Sequence, residues 1–150
     1  MDIQKEVYLL HEDVAEYDSW LKLILGGTLS LTLLLGVYLL YVDRTGALIC
    51  FGVTVFDALL FYAILPQRYQ IWTDRVRIVL GRSFSINLPF SNIREARAAA
   101  GTKAFAYRGF RFATSSKTVV EIIRRRGLNF VISPANRELF LERLAEAFKA

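Results

Sequence analysis

Two long apolar runs constrain this chain more than any other feature. Residues 23–42 contain no charged side chain, and residues 45–65 contain only Asp57. At 1.5 Å rise per residue, a run of this length as a helix just crosses a hydrocarbon core of about 30 Å. Asp43, Arg44, Thr45 and Gly46 separate the runs, a polar turn too short to be a domain. Pro66 follows the second run and marks its end. The pair predicts a transmembrane helical hairpin over 23–66. Trp20, Tyr38, Tyr41, Tyr62, Tyr69 and Trp72 lie near the run ends, as in an interfacial aromatic belt. A secretory signal fits poorly, because the leading segment is acidic and the apolar stretch too long. A soluble core hairpin also fits poorly, because a domain of 150 residues rarely buries two charge-free helices of this length.

Charge is distributed unevenly. Residues 1–22 hold two lysines against six acidic residues, whereas residues 66–150 hold 16 Lys+Arg against 6 Asp+Glu. The turn between the runs offers one basic residue, Arg44, while Arg68, Arg75, Arg77 and Arg82 follow the second run. The positive-inside rule puts the latter side, and with two spans the N-terminus as well, in the cytoplasm. One cysteine and one histidine leave no disulfide framework and no histidine-rich or cysteine-based metal site.

Residues 1–22 form a first segment. Ile3, Val7, Leu10, Val14, Tyr17 and Leu21 recur at spacings of four and three, which predicts one apolar stripe on a helix. Such a stripe would pack on the chain's own soluble part or serve a partner or a second copy. It is too short for a coiled coil, and its acidic polar face disfavours an anionic lipid surface.

From residue 68 the apolar period changes to two, which sets a second domain over 67–150. Residues 69–73, 76–80 and 84–88 read as strands, with Thr73 and Asp74 as a turn and Pro89 as a stop. Residues 93–100 are ambiguous, since their alanines favour helix by propensity. Residues 105–107 and 110–112 read as short strands. Residues 118–124 and 128–132 flank Arg125, Arg126 and Gly127, a hairpin signal. Ser133 is placed to cap a final helix with Pro134 at its first position, and Phe140, Leu141, Leu144, Ala147 and Phe148 give that helix one apolar face. Many short strands followed by one amphipathic helix would form a wrapped sheet covered by the helix.

The stretch RYQIWTDRVRIVLGRSFSINLPFSNIREARA, followed by VVEIIRRRGLNFVISPANRELFLERLAEAF, resembles bacterial pleckstrin-homology (PH)-like domains. The hairpin ending in Ile132, Ser133 and Pro134, and the helix with Phe140 and Leu144, carry most of the likeness, which covers residues 67–150. Small bacterial membrane proteins with two spans and one such domain are similar over the whole chain. The resemblance implies a membrane hairpin plus a mainly-β PH-like domain, a bent seven-stranded sheet capped by a C-terminal α-helix. It implies no enzymatic activity, no cofactor and an inner (cytoplasmic) membrane location.

No phosphate loop, metal-ligand pattern or nucleophilic triad stands in the sequence. His11 and Cys50 read as packed residues. Asp57 is the intramembrane polar candidate, expected to face protein, with Thr54, Thr28, Ser30 and Thr32 as potential hydrogen-bond partners. Arg75, Arg77 and Arg82 occupy the region where phosphoinositide-binding PH domains hold headgroups, and Arg124, Arg125 and Arg126 sit at the expected hairpin tip. All six are lipid-headgroup candidates, to be weighed against non-specific attraction to an anionic leaflet. No RNA-binding signature accompanies the basic charge. The expected role is a non-catalytic interaction module that scaffolds a membrane assembly with a protein partner or as a homo-oligomer. Lipid sensing at the anionic inner leaflet, and service as an accessory subunit of a transporter or membrane enzyme through Asp57, are the alternatives.

Overall fold

The computed structural model describes residues 6–149. The element order is β1 (Leu9–Val14), α1 (Ser19–Leu39), α2 (Arg44–Ile64), β2 (Pro66–Trp72), β3 (Arg75–Leu80), β4 (Phe84–Pro89), β5 (Ile93–Ala98), β6 (Phe110–Phe112), β7 (Val120–Arg124), β8 (Phe130–Ile132) and α3 (Arg137–Lys149). The strands form two four-stranded sheets, β1-β2-β3-β4 and β5-β7-β8-β6.

Helices α1 and α2 are each 21 residues long and apolar enough to cross a membrane, and only 6% of each apolar window is buried inside the protein. Leu23, Leu31, Leu34, Leu48 and Ile49 stand exposed on them. A core helix of a soluble domain would bury such side chains instead. The Asp43 side chain caps α2 by accepting from the Thr45 N–H at 3.0 Å, as its polar turn position favours. Gly36 is buried where the helices meet, and a Cβ there would lie 2.9 Å from the Phe51 ring and 3.2 Å from Cys50 Cβ. Lack of a side chain at Gly36 thus sets the closest approach of the hairpin.

The N-terminal segment departs from the helical expectation. Residues 9–14 are a strand, paired antiparallel with β2 from Leu9↔Trp72 to Val14↔Arg68. The apolar spacing suited a helix, but β2 offered an unpaired ladder, and cross-strand pairing outweighed local periodicity. The helical stripe therefore does not form. Alternation turns His11, Asp13 and Ala15 inward and Leu10 and Val14 outward; Val7, ahead of the strand, is exposed as well. Ile3 lies outside the described residues. The β domain accordingly includes β1 as well as β2 to β8 and α3, with the helical hairpin inserted between β1 and β2.

The inward-facing positions of both sheets meet in one core, with Tyr69, Ile71, Val76, Ile78, Val120, Ile122 and Ile132 buried. Helix α3 packs on β1, β2 and β5 and inserts Phe140 and Leu144 into this core. Its cap is Asn136, whose side chain accepts from the Leu139 N–H at 3.2 Å, rather than Ser133. Pro134 still runs extended, bridged to Ala15, so the helix cannot begin there. Strands β2 to β8 number seven, and β1 adds an eighth. Residues 93–98 are a strand despite their alanines, because β5 pairs with β7. Residues 105–107 are not a strand: the 3-10 turn Gly101–Ala104 continues with Phe105 and Ala106 donating to the Thr102 carbonyl.

Candidate functional site

Strand directions divide the domain into two ends. Val14 leads into α1 and Pro66 follows α2, so the end holding Val14, Pro66, Leu80 and Phe84 adjoins the hairpin. Leu9, Trp72, Arg75 and Pro89 mark the opposite end. Six-residue strands at about 3.3 Å per residue separate the ends by roughly 17 Å.

At the hairpin end, Asp18 precedes α1 and is buried. Its side chain does not cap its own helix. It accepts from Ser115 Oγ at 2.7 Å, the Ser116 N–H at 2.9 Å, Ser116 Oγ at 2.8 Å and Trp20 Nε1 at 3.2 Å. Burial opposes ionisation, but these donors outweigh it and bring the carboxyl down to about 2. Next to it, Ser133 Oγ accepts from the Thr114 N–H at 2.9 Å and the Ser115 N–H at 3.2 Å. Tyr69 donates its hydroxyl to the Phe112 carbonyl at 2.6 Å, and Tyr17 donates to the Pro66 carbonyl at 2.5 Å. Burial raises both phenols, Tyr17 to about 12. This network welds the foot of the hairpin to β8 and the loop before β7.

A second buried carboxylate lies on the sheet containing β7. Glu121 stands opposite Arg97 in register and accepts from Arg97 Nε at 3.0 Å, Lys103 Nζ at 2.7 Å and the Tyr107 hydroxyl at 2.7 Å. Burial alone would raise it, yet Lys103, Tyr107 and Arg97 together lower it to about 2. Its charge is matched within the cluster, which is the arrangement of a structural brace for residues 101–107.

The six candidate arginines do not form one site. Arg82 follows Gly81, whose φ of +57° makes the turn and whose Cβ position would lie 2.6 Å from the Tyr62 carbonyl oxygen, so Arg82 sits beside the last turns of α2. Arg77 lies mid-strand, opposite Gln70 and Asn87. Arg75 is at the far end, engaged by Asp74 at 2.6 Å. Arg124, Arg125 and Arg126 are also at the far end. The Phe90 N–H donates to the Asp74 carbonyl, and the Arg125 N–H to the Asn92 carbonyl. Asn92 Oδ1 accepts from the Arg126 N–H at 3.1 Å, and Asn129 Oδ1 from the Arg124 N–H at 3.0 Å. Gly127, at φ +88°, closes the loop. Ser91, Asn92, Arg124, Arg125, Arg126 and Gly127 line an open cleft of about 630 Å³, with Arg125 and Arg126 exposed. The Arg124 guanidinium lies 5.4 Å from the Phe130 ring centre.

Asp57 falls on the less exposed face of α2, in line with Ala47, Cys50, Thr54 and Phe61, and so looks toward α1. The three threonines among the hydroxyls expected to reach it are otherwise engaged: Thr54 donates to the Cys50 carbonyl, Thr28 to Ile24 and Leu25, and Thr32 to Thr28. His11 packs with its ring 6.4 Å from that of Phe140. Among the described residues, no group of three His, Cys, Asp or Glu side chains could hold a metal ion.

Asp18 and Glu121 were not singled out in the sequence. An Asp just ahead of an apolar helix is a capping signal, but its real partners lie in the Thr114, Ser115, Ser116 run far along the chain. Compared with known protein families, with curated proteins and with solved structures, the chain matches none of them.

Proposed function

We propose that this chain is a membrane-anchored, non-catalytic interaction module. The hairpin spans the inner membrane, with the N-terminal segment and a PH-like domain on the cytoplasmic side, and the far end of the domain docks an acidic protein partner within a membrane assembly. One observation supports this most directly: Arg124, Arg125 and Arg126 crown the end remote from the hairpin, on a loop pinned through Asn92 and Asn129. That end is roughly 17 Å from the hairpin junction, beyond a Debye length of about 8 Å at physiological salt. The protein's own leaflet is screened from those charges, whereas a partner rising from the membrane or from solution is not. The PH-like reading draws support from the seven strands after the hairpin and the closing α3; the chain departs from the expected plan in the added β1, in the division into two four-stranded sheets and in the parallel pairing of β6 with β8.

The test is gentle extraction of the full chain followed by native mass spectrometry. A stoichiometric partner that is lost on Arg125→Glu with Arg126→Glu supports the proposal. A bare monomer in wild-type extracts overturns it. Of the six candidate arginines, lipid sensing keeps Arg82 at the level of the hairpin end. A homo-oligomer or monomer that retains one lipid class, and loses it on Arg82→Ala, would put that reading first.

A further inference from the structure

The end of the domain nearest the hairpin carries an exposed aromatic pair. The rings of Trp20 and Phe105 lie 5.3 Å apart, and both side chains are nearly half exposed, at 44% and 49%. Trp20 is oriented by its indole N–H, which donates to Asp18 at 3.2 Å. Phe105 is held by local bonds, its N–H donating to Thr102 at 3.1 Å and its carbonyl accepting from Arg111, with Ala104 buried beneath. Lys103 and Tyr107 tie the same loop to the Glu121 carboxylate. An exposed phenylalanine on a braced loop is unfavourable in water and favourable at an apolar surface.

The position identifies that surface. Trp20 stands three residues ahead of Leu23, about 4.5 Å along the helix axis, where the exposed apolar face of α1 begins. Exposed cations stand near this level: Lys22 on α1, Lys117 beside the Asp18-bound Ser116, Arg82 beside α2, and Arg111, which donates to the Phe105 carbonyl. Aromatic rings between an apolar span and a cationic rim are the composition of an interfacial anchor. We infer that the loop holding Phe105 is itself seated in the headgroup layer of an anionic bilayer, a third membrane contact alongside the two helices. This fixes the orientation of the domain and holds its basic far end outward. The inference rests on the reading of the hairpin as membrane-spanning.

The test uses the full chain in phosphatidylcholine–phosphatidylglycerol vesicles, one set with acyl chains brominated near the glycerol to read the loop and one set brominated near the terminal methyl to read the span, since Leu34 lies about 16 Å below Leu23 along the helix axis. In a Trp20→Phe, Trp72→Phe background, Phe105→Trp puts the sole tryptophan on the loop, and Leu34→Trp instead puts it within the span. The expected result is loss of emission by bromine at both positions, with little loss in a variant that retains only Trp72. Quenching at Leu34→Trp without quenching at Phe105→Trp overturns the inference and leaves the spanning hairpin standing. Absence of quenching at both overturns the spanning hairpin and the inference with it. Far-ultraviolet circular dichroism and a cooperative thermal transition matching wild type identify the folded variants on which these outcomes are read.

Discussion

Asp18 accepts a hydrogen bond from Ser115 Oγ at 2.7 Å across 97 residues of sequence, joining the start of an apolar helix to a loop of the β domain. With Ser116 and Trp20 completing the set, the carboxylate is fully served without a cation. Such an anion is costly to bury and costly to strip of its donors. It also makes the junction stiff, since α1 cannot tilt against the domain without breaking several bonds at once.

Asp18→Ala leaves the Ser115 and Ser116 donors unserved at a buried site. A loss of about 2 kcal/mol in domain stability is expected, read as a fall in thermal midpoint in detergent. Cleavage between β1 and α1 by added protease should accelerate in the same variant. An unchanged midpoint would show that the junction is held elsewhere.

Acid should unfold the domain through the two buried carboxylates. Asp18 and Glu121 both sit at about 2, below their ordinary 3.8 and 4.5. A carboxyl more acidic when folded adds stability at higher pH and loses it as pH falls through the folded value. Stability should therefore decline from about pH 4.5 toward about pH 2. In the Asp18→Asn, Glu121→Gln double variant, the same titration by tryptophan emission should be flatter in that window.

Glu121→Gln removes the charge that gathers Arg97, Lys103 and Tyr107. Tyr107 is raised to about 12, first by burial and then by its bond to Glu121, so its phenol should titrate at lower pH in the variant. Ultraviolet difference spectra against a Tyr107→Phe control measure this. The backbone amides of residues 101–107 should also exchange hydrogen faster.

Gly81→Ala forces a side chain into φ +57° and against the Tyr62 carbonyl. A loss of about 2 kcal/mol or more is expected. Gly36→Ala meets mainly the edge of the Phe51 ring, which can rotate aside, so it should cost less, while Gly36→Leu should splay the hairpin. Thermal midpoints of the three variants in one detergent test the order.

The apolar helices were legible in the sequence because their requirement is local: enough uncharged residues in a row, at a fixed rise, ended by a polar turn and by Pro66. The strands from Tyr69 to Leu88 and the hairpin around Gly127 were legible for the same reason, through alternation and turn chemistry. Residues 9–14 were not, since their spacing fits a helix and only the open edge of β2 makes them a strand. Residues 93–98 followed β7 against their own alanine content. The arginines were visible as a set, but their separation was not, because strand direction decides which turns share an end: Arg82 beside the hairpin, and Arg124, Arg125 and Arg126 away from it. Asp18 and Glu121 became buried anions only when distant donors converged on them. Local composition determined which helices are long and apolar enough to cross a bilayer; pairing between segments far apart in the chain, which no local pattern encodes, decided which residues share an end with those helices and which stand away from them.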